Sequence, residues 1–359
     1  MSSKKYPWIV LLVLFAAIKI FSIFPGAVET YYSGMIYPVI TAIQRILLGW
    51  LPFSVGDILY GLTGVWLLVK VYKFFTVIFK RQANRFFWLN SLRQAGFFIL
   101  GVYVIFNILW GLNYNRRGIA EQLQLNEKVY NKEDLLAVVD ELVARLNEFD
   151  TVGRINRKYL DIKPNLFGGA IESYDTLARY RDQFIYKHPS VKPSLYSYLG
   201  NYLGFTGYYN PFSGEAQVNT TVPLFVRPFT TCHEIGHQLG YAKESEANFA
   251  GFLSAKSSID PAFKYSVYFE MYLYSRRYLY NLDTNLLKSY DRRLGAIVKT
   301  DYRELRAFWK KYENPIERVV DVLYGTYLRA NQQPSGKLSY SEVISWLIAY
   351  YKKYGREAI

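Results

Sequence analysis

Residues 231–240 read Thr-Cys-His-Glu-Ile-Gly-His-Gln-Leu-Gly, in the second half of the chain. The surrounding residues have the apolar spacing of a helix, which we expect to run from Arg227 to Leu239. On a helix, residues four apart share one face, so His233 and His237 would point to the same place. The stretch therefore predicts a helix that carries two imidazoles side by side, around which the rest of the fold is arranged.

The His-Glu-x-x-His order is typical of zinc hydrolases. Two imidazoles on one helix face can bind a zinc ion, and Glu234 can then activate the water that attacks the substrate without binding the ion itself. Chance alone would produce the pattern in about one such chain in a hundred. The chain has three histidines and two of them stand here, whereas His188 lies in a Lys-His-Pro turn that predicts a surface position.

A catalytic zinc site needs a third protein ligand and an open fourth position. The short-spaced type of motif would place that ligand at 243, where this chain has Lys243. The segment that begins there, Lys-Glu-Ser-Glu-Ala-Asn-Phe, resembles the Glu-x-x-Ala-Asn helix of gluzincin-type peptidases. The resemblance implies that Glu244 is the third ligand and that Asn248 orients a ligating histidine. Glu246 is the alternative ligand, because it is also acidic and near the same turn.

The substrate could lie along residues 207–219, which precede the motif. Zinc peptidases hold an extended substrate by backbone pairing with an edge strand, and an ordinary hairpin is the alternative for this segment. The candidate substrate-binding residues are Tyr209, Asn210, Glu215 and Asn219.

The sequence leaves open which tyrosine stabilises the oxyanion and what Cys232 does. A tyrosine that stabilises the oxyanion is expected, and Tyr324 and Tyr327 are candidates that nothing in the sequence separates from the other tyrosines. Cys232 borders the first histidine, but it points about 100° away on a helix, so a buried thiol is favoured over a ligand.

The first 111 residues form a predicted transmembrane region. Three apolar stretches, near 8–24, 58–79 and 86–110, approach the roughly 20 residues that cross a bilayer as a helix. Residues 36–55 contain Arg45 and Pro52 and predict an interfacial or re-entrant helix, with a full crossing as the less favoured alternative. A cleaved signal peptide is the alternative for the first stretch, but no clear cleavage site follows it.

The orientation follows from the basic residues in the short loops. Lys4 and Lys5 precede the first stretch, and three basic residues lie between 80 and 85, whereas residues 25–55 contain only Arg45. The positive-inside rule then places the N-terminus and the 80–90 loop in the cytoplasm. Three crossings leave residues 112–359 outside it. We therefore expect a multi-pass protein of the bacterial inner membrane whose second domain is extracytoplasmic.

Composition excludes some classes of protein. The net charge is +14, but the excess lies beside apolar segments, so it indicates topology and no nucleic-acid partner. A single cysteine excludes an intramolecular disulfide. After residue 112 helical patterns dominate, with short strands expected between 195 and 225 and a break at Pro315. The predicted fold is mainly α, with transmembrane helices followed by a helical zincin-like metallopeptidase domain and a small β region.

Several motifs together resemble the bacterial membrane proteins of the domain of unknown function 3810 family. They are Trp-Gly-Leu-Asn-Tyr from 110, Tyr-Asn-Pro-Phe-Ser-Gly-Glu from 209, His-Glu-x-x-His-Gln from 233 and Glu-x-Glu-Ala-Asn-Phe from 244. The family implies a zinc-peptidase-like domain but no established substrate. The Glu-x-x-Ala-Asn element also resembles membrane endopeptidases of the prenyl-protein and heat-shock kinds.

The sequence thus predicts a membrane-anchored metallopeptidase that uses one catalytic Zn²⁺ to hydrolyse a peptide or protein substrate beside the lipid bilayer. One alternative is a non-catalytic membrane scaffold or sensor with a structural zinc, although the water-activating Glu234 argues against it. The other alternative is a zinc amidase that acts on cell-wall peptides.

Overall fold

A computed structural model describes residues 6–125, 130–334 and 339–359, and the side chains of residues 339–341 are not described. The described chain is mainly helical with a small three-stranded sheet, in agreement with the sequence prediction. Lys4 and Lys5, which contributed to the predicted orientation, lie outside the described residues.

The N-terminal elements include two helices that are long and apolar enough to cross a membrane. These are Val55–Phe79 and Arg85–Leu109, and the number of crossings is three if Tyr6–Ser22 and the bent segment after it, Pro25–Leu48, form one span. The chain therefore has the features of a membrane protein. The elements are α1 Tyr6–Ser22, α2 Pro25–Ala27, a π-helix Val28–Ile36, α3 Tyr37–Leu48, α4 Val55–Phe79 and α5 Arg85–Leu109.

The second and third predicted spans coincide with α4 and α5, but the first is different. Helix α1 ends at Ser22, and Pro25 begins a new helix because its ring suits a first helical turn. The axis bends by 101° at this break. Within the 36–55 segment, α3 buries Arg45, whose guanidinium lies over the ring of Tyr186. Whether this segment crosses the bilayer stays a prediction.

Helices also make up most of the remaining chain. Asn131 and Asp134 form a capping box at the start of α7. The expected break occurs at Pro315, which starts α15 behind an Asn314 cap. The helices are α6 Ile119–Gln122, α7 Lys132–Asn156, α8 Lys163–Ala178, α9 Ser197–Leu203, α10 Arg227–Gln238, α11 Glu244–Lys256, α12 Pro261–Leu282, α13 Thr284–Arg293, α14 Ala296–Tyr312, α15 Pro315–Ala330 and α16 Ser339–Tyr354.

Helices α10 and α11 form the centre of this part of the molecule. Every residue of α10 is buried, as are those of α11 up to Ala255. The two helices approach closely at Gly251, where a Cβ atom would lie 3.1 Å from the backbone of His233. Helices α7, α8, α12 and α16 surround the pair and complete the apolar core. Such close packing fixes the positions of the α10 side chains.

The sheet has the strand order β1-β3-β2, with β1 Val191–Pro193, β2 Gly207–Asn210 and β3 Glu215–Val218. Strand β1 is parallel to β3, and β2 is antiparallel to it. Strand β2 is therefore an edge strand whose outer side is not paired within the sheet.

The membrane helices and the later part of the chain share buried contacts. The Glu215 carboxylate of β3 accepts hydrogen bonds from the backbone N–H groups of Val55 (3.2 Å) and Gly56 (2.7 Å) at the start of α4. Asp57 accepts from the Leu195 N–H at 2.7 Å and from the Tyr208 hydroxyl. These contacts join the regions on both sides of residue 111, and the predicted division into domains 1–111 and 112–359 stays a prediction.

Candidate functional site

Helix α10 holds His233 and His237 with their ring centroids 4.7 Å apart and their planes nearly perpendicular. The Nδ1 atom of His237 lies 2.8 Å from the carbonyl oxygen of Tyr241. Since that carbonyl can only accept, Nδ1 carries a proton and donates it, which leaves Nε2 as the nitrogen that can bind a metal.

Glu244, at the start of α11, lies against both imidazoles. Its Oε2 atom is 3.3 Å from Nε2 of His233 and 3.7 Å from Nε2 of His237. Ligands of a tetrahedral zinc ion are about 3.4 Å apart when each lies about 2.1 Å from the metal. The three groups therefore fit a single cation. The rival ligand, Glu246, is buried elsewhere, with its Oε1 atom 3.7 Å from Nζ of Lys243.

Glu234 lies beside the two histidines, and the three residues offer ligand atoms within 4.8 Å of one another. One of its carboxylate oxygens, Oε2, is buried without a hydrogen-bond partner among the described residues. The backbone of β2 passes close to the other oxygen, because a Cβ atom on Gly207 would lie 2.6 Å from Oε1. The carboxylate is thus held between the imidazoles and the edge strand.

The four groups have strongly coupled charges. Burial raises the pKa of Glu234 to about 8 and lowers the pKa of His233. Burial also opposes protonation of His237, but its contact with the Glu244 carboxylate raises the pKa to about 9. Although burial alone would raise the pKa of Glu244, hydrogen bonds with the two imidazoles hold it well below its ordinary value. A permanent carboxylate between two imidazoles suits cation binding.

Further side chains support these residues. The Tyr324 hydroxyl donates to Oε1 of Glu244 at 2.5 Å, and the Trp110 indole N–H donates to the carbonyl oxygen of His237 at 3.1 Å. A side-chain contact with Asn248 acts to raise the pKa of His233, and Nδ1 of that ring has no hydrogen-bond partner among the residues that the structure describes. Tyr327 pairs with the hydroxyl of Tyr114 at 3.1 Å.

The predicted substrate-binding residues divide into two groups. Tyr209 lines the cleft beside the site. Asn210 instead accepts hydrogen bonds within its own turn, Asn219 donates to Asn201 and Phe205, and Glu215 caps α4. These three side chains are fully buried and outside the cleft lining. The geometry gives them structural contacts, and a role in substrate binding stays a prediction.

A cleft of about 1290 Å³ opens in front of the candidate site. One wall consists of α10 and α11, and the edge strand β2 forms a second. The opposite wall comes from the membrane helices, through Tyr60 of α4 and Ile99, Val102 and Phe106 of α5. Most of the lining is apolar, with a cluster of polar groups at His233, Glu234, His237 and Glu244 and further acidic side chains at Glu270 and Asp321.

Sequence reasoning missed several residues of this region. Gly207 allows the close approach of β2, and Trp110 supports the second histidine, but no local pattern indicates either contact. Glu270 of α12 also lines the cleft, and no hydrogen bond or ion pair is found for it within the described ranges. Burial raises the pKa of Glu270 to about 7.

Cys232, as expected, is a buried thiol beside Ser254.

Comparisons with known proteins give one result. The family described as "Protein of unknown function (DUF3810)" matches residues 32–348. No curated protein and no solved structure matches the chain. Since the match covers most of the chain, the protein belongs to this family of proteins of unknown function, DUF3810.

Proposed function

We propose that the protein is a membrane-anchored zinc metallopeptidase that hydrolyses peptide bonds. The observation that carries the proposal is the convergence of His233, His237 and Glu244 on one point, beside a Glu234 oxygen without a hydrogen-bond partner in the described part of the chain. Nitrogen and carboxylate donors at this spacing are a catalytic type of zinc ligand set. A cleft large enough for a peptide opens on the same side of the donors.

The residues have separate roles in this proposal. Zinc, when bound, polarises the carbonyl group of the substrate and makes a water molecule more acidic. Glu234 accepts the proton from that water and donates it to the leaving amine. Tyr324 orients Glu244 through its hydroxyl and lines the cleft where the oxyanion would develop. Strand β2 pairs with the extended substrate through its outer edge.

The charge distribution supports an extracytoplasmic location for the site. The site lies near the start of α4 and the end of α5, because Glu215 binds Gly56 and Trp110 binds His237. The opposite ends of these two helices are joined by a loop containing Lys80 and Arg81 and flanked by Arg85. The positive-inside rule places that basic loop in the cytoplasm, which gives a bacterial inner-membrane protein with its site outside.

The alternatives from the sequence have less support. A structural zinc site has four protein ligands and no open position. Here the described donors face an open cleft, and Glu234 can serve as a base. An amidase that cuts cell-wall peptides would use the same residues, so it is a variant of the proposed chemistry rather than a different site.

Zinc content and hydrolysis, measured separately, test the proposal. Full-length protein purified in detergent should contain one zinc ion and cleave a mixed peptide library. Glu234→Ala should keep the zinc and lose hydrolysis by about 10³-fold, because the base is removed and the ligands remain. Equal hydrolysis by the wild type and Glu234→Ala would refute the proposal. Four protein ligands to zinc in the metal-bound protein would favour the scaffold alternative.

A further inference from the structure

The membrane helices form part of the cleft in which the candidate metal site lies. The aromatic rings of Trp66 on α4 and Phe98 on α5 are in contact, with centroids 5.2 Å apart. On the site side of this contact, Tyr60 of α4 and Ile99 of α5 line the cleft. The cleft therefore reaches between two helices that are apolar enough to lie in lipid.

The depth of this opening can be estimated from α5. Ile99 is ten residues before Leu109, where α5 ends, and ten residues of helix rise about 15 Å. The hydrocarbon core of a bilayer is about 30 Å thick. Ile99 therefore lies about 15 Å along α5 from the end nearest the site, a distance of about half the thickness of such a core. Ile99 is 67% exposed and Val102 is 39% exposed, so this wall of the cleft presents apolar side chains that the rest of the described chain does not cover.

The other end of the opening also has apolar surfaces. Helices α9 and α15 lie against each other and both contribute to the cleft lining. Each has an exposed apolar face, with Leu199 of α9 at 50% and Leu323 of α15 at 65% exposure. Amphipathic helices with such faces lie in the membrane interface. The entrance to the site is therefore bordered by surfaces that suit a bilayer rather than water.

We infer that the substrate enters sideways from the bilayer, between α4 and α5, and is the end of a transmembrane segment of another protein. This inference rests on the proposed peptidase function and names its substrate class. The cleft is larger than the roughly 300–1,000 Å³ of ordinary small-molecule pockets. An unwound peptide end can pair with β2 near Glu234 and place its apolar side chains between α4 and α5. A depth of about 15 Å accommodates about five extended residues.

Three defined probes test the substrate class. Each carries the same randomised eight-residue segment between a fluorophore and a quencher. The first probe is attached to a single transmembrane helix, the second is soluble and the third carries a palmitoyl chain. Full-length, zinc-loaded protein is reconstituted in liposomes. We expect the transmembrane probe to be cleaved at least about ten times faster than both others. The palmitoyl probe has a similar local concentration in the membrane, so it controls for tethering alone.

Each outcome of this assay is decisive. Equal cleavage of the soluble and transmembrane probes would overturn the inference but leave the proposed peptidase function intact. Faster cleavage of the palmitoyl probe would replace the transmembrane substrate with a lipid-modified one. If zinc is bound and no probe is cleaved, the proposed function fails and the inference fails with it.

Two matched variants test the route of entry. Ile99→Trp fills the opening, whereas Leu92→Trp changes a residue 73% exposed on the same face of α5, seven residues away and outside the cleft lining. Ile99→Trp should slow cleavage of the transmembrane probe by about five-fold or more, and Leu92→Trp should leave it unchanged. Both variants should retain zinc.

In zinc-loaded Glu234→Gln, a photoreactive residue at position 99, but not at 92, should crosslink to the transmembrane probe. Equal rates or equal crosslinking at the two positions would overturn the route.

Discussion

Two helix pairs face each other across the cleft, and they are built in opposite ways. Helices α10 and α11 are almost completely buried and touch through glycine, with polar groups gathered at one point. Helices α4 and α5 are mostly exposed, carry apolar side chains and both contribute residues to the lining of the cleft. The first pair determines which chemical groups meet. The second determines what can reach them.

The buried helix pair thus sets the chemistry of the site, and the exposed pair sets which substrates reach it. A substitution in the buried pair should change metal content or the rate of hydrolysis, because its side chains have fixed neighbours. A substitution on the exposed pair should instead change the choice of substrate. The Ile99 and Leu92 variants probe the exposed wall, and substitutions at α11, β2, α15 and α12 probe the buried wall and its edge.

The largest expected effect distinguishes two acids in the first turn of α11. Glu244→Gln should weaken zinc binding by more than about 100-fold, because the carboxylate between the imidazoles is lost. Glu246→Gln is the matched control, since its carboxylate lies near Lys243 instead, and it should retain zinc. Zinc titration of both purified variants measures the difference. Loss of zinc in Glu246→Gln alone would reverse the ligand assignment.

The next effect concerns the contact between β2 and the proposed base. Gly207→Ala would place a Cβ atom 2.6 Å from Oε1 of Glu234 and 3.0 Å from the carbonyl oxygen of Gln217. The carboxylate must move, and a misplacement of about 1 Å lowers kcat by about 10²-fold. Zinc content should not change. Gly168→Ala, on an exposed position of α8 with open space around it, should behave like the wild type. A Gly207→Ala enzyme with normal kcat would show that this approach is unimportant.

A smaller effect separates the two tyrosines that the sequence left open. Tyr324→Phe removes the hydroxyl that donates to Glu244, and zinc affinity should fall about ten-fold, as for other groups that orient a ligand. Tyr327→Phe removes a hydroxyl that pairs with Tyr114, so zinc affinity should remain normal. Metal titration and kcat should be measured on both. A larger loss of kcat in Tyr327→Phe would make that residue the better candidate for stabilising the oxyanion.

The smallest effect is a pH dependence of stability at Glu270, on the cleft wall. Burial raises the pKa of this carboxyl from 4.5 to about 7. The folded protein therefore binds more protons than the unfolded chain between these values, and stability falls as the pH rises from about 4.5 through 7. Glu270→Gln should remove this loss and increase stability by about 1–2 kcal/mol at pH 8, allowing for solvent screening. Thermal unfolding in detergent at pH 4.5 and 8 tests this. An equal change of Tm at both pH values would contradict it.

The sequence predicted the buried helix pair better than the exposed one. His233 and His237 come together because four-residue spacing on a helix has only one geometry. The sequence favoured Glu244 over Glu246 only through a resemblance, whereas their distances from the imidazoles depend on how α11 packs on α10. The two long spans followed from hydropathy, but the 101° bend after α1 did not, because a single proline permits several directions of turn.

Sequence patterns could not predict contacts between distant parts of the chain. Glu215 was predicted to bind substrate, yet it binds backbone groups 159 and 160 residues earlier. Glu270 has no motif around it, and only the packing of α12 beside α10 brings it to the cleft. Zinc, the substrate and the reaction remain predictions.

The cap on α4 has a consequence for how the protein is made. The N–H groups of Val55 and Gly56 leave the ribosome long before the carboxylate of Glu215 that they bind. At about 5–20 residues per second, the interval is roughly ten to thirty seconds. During that time α4 can already be in the membrane while its first turn lacks this cap. The ribosome must therefore synthesise β3 before α4 and the sheet can form this contact. Formation of the contact is thus a late step in biogenesis.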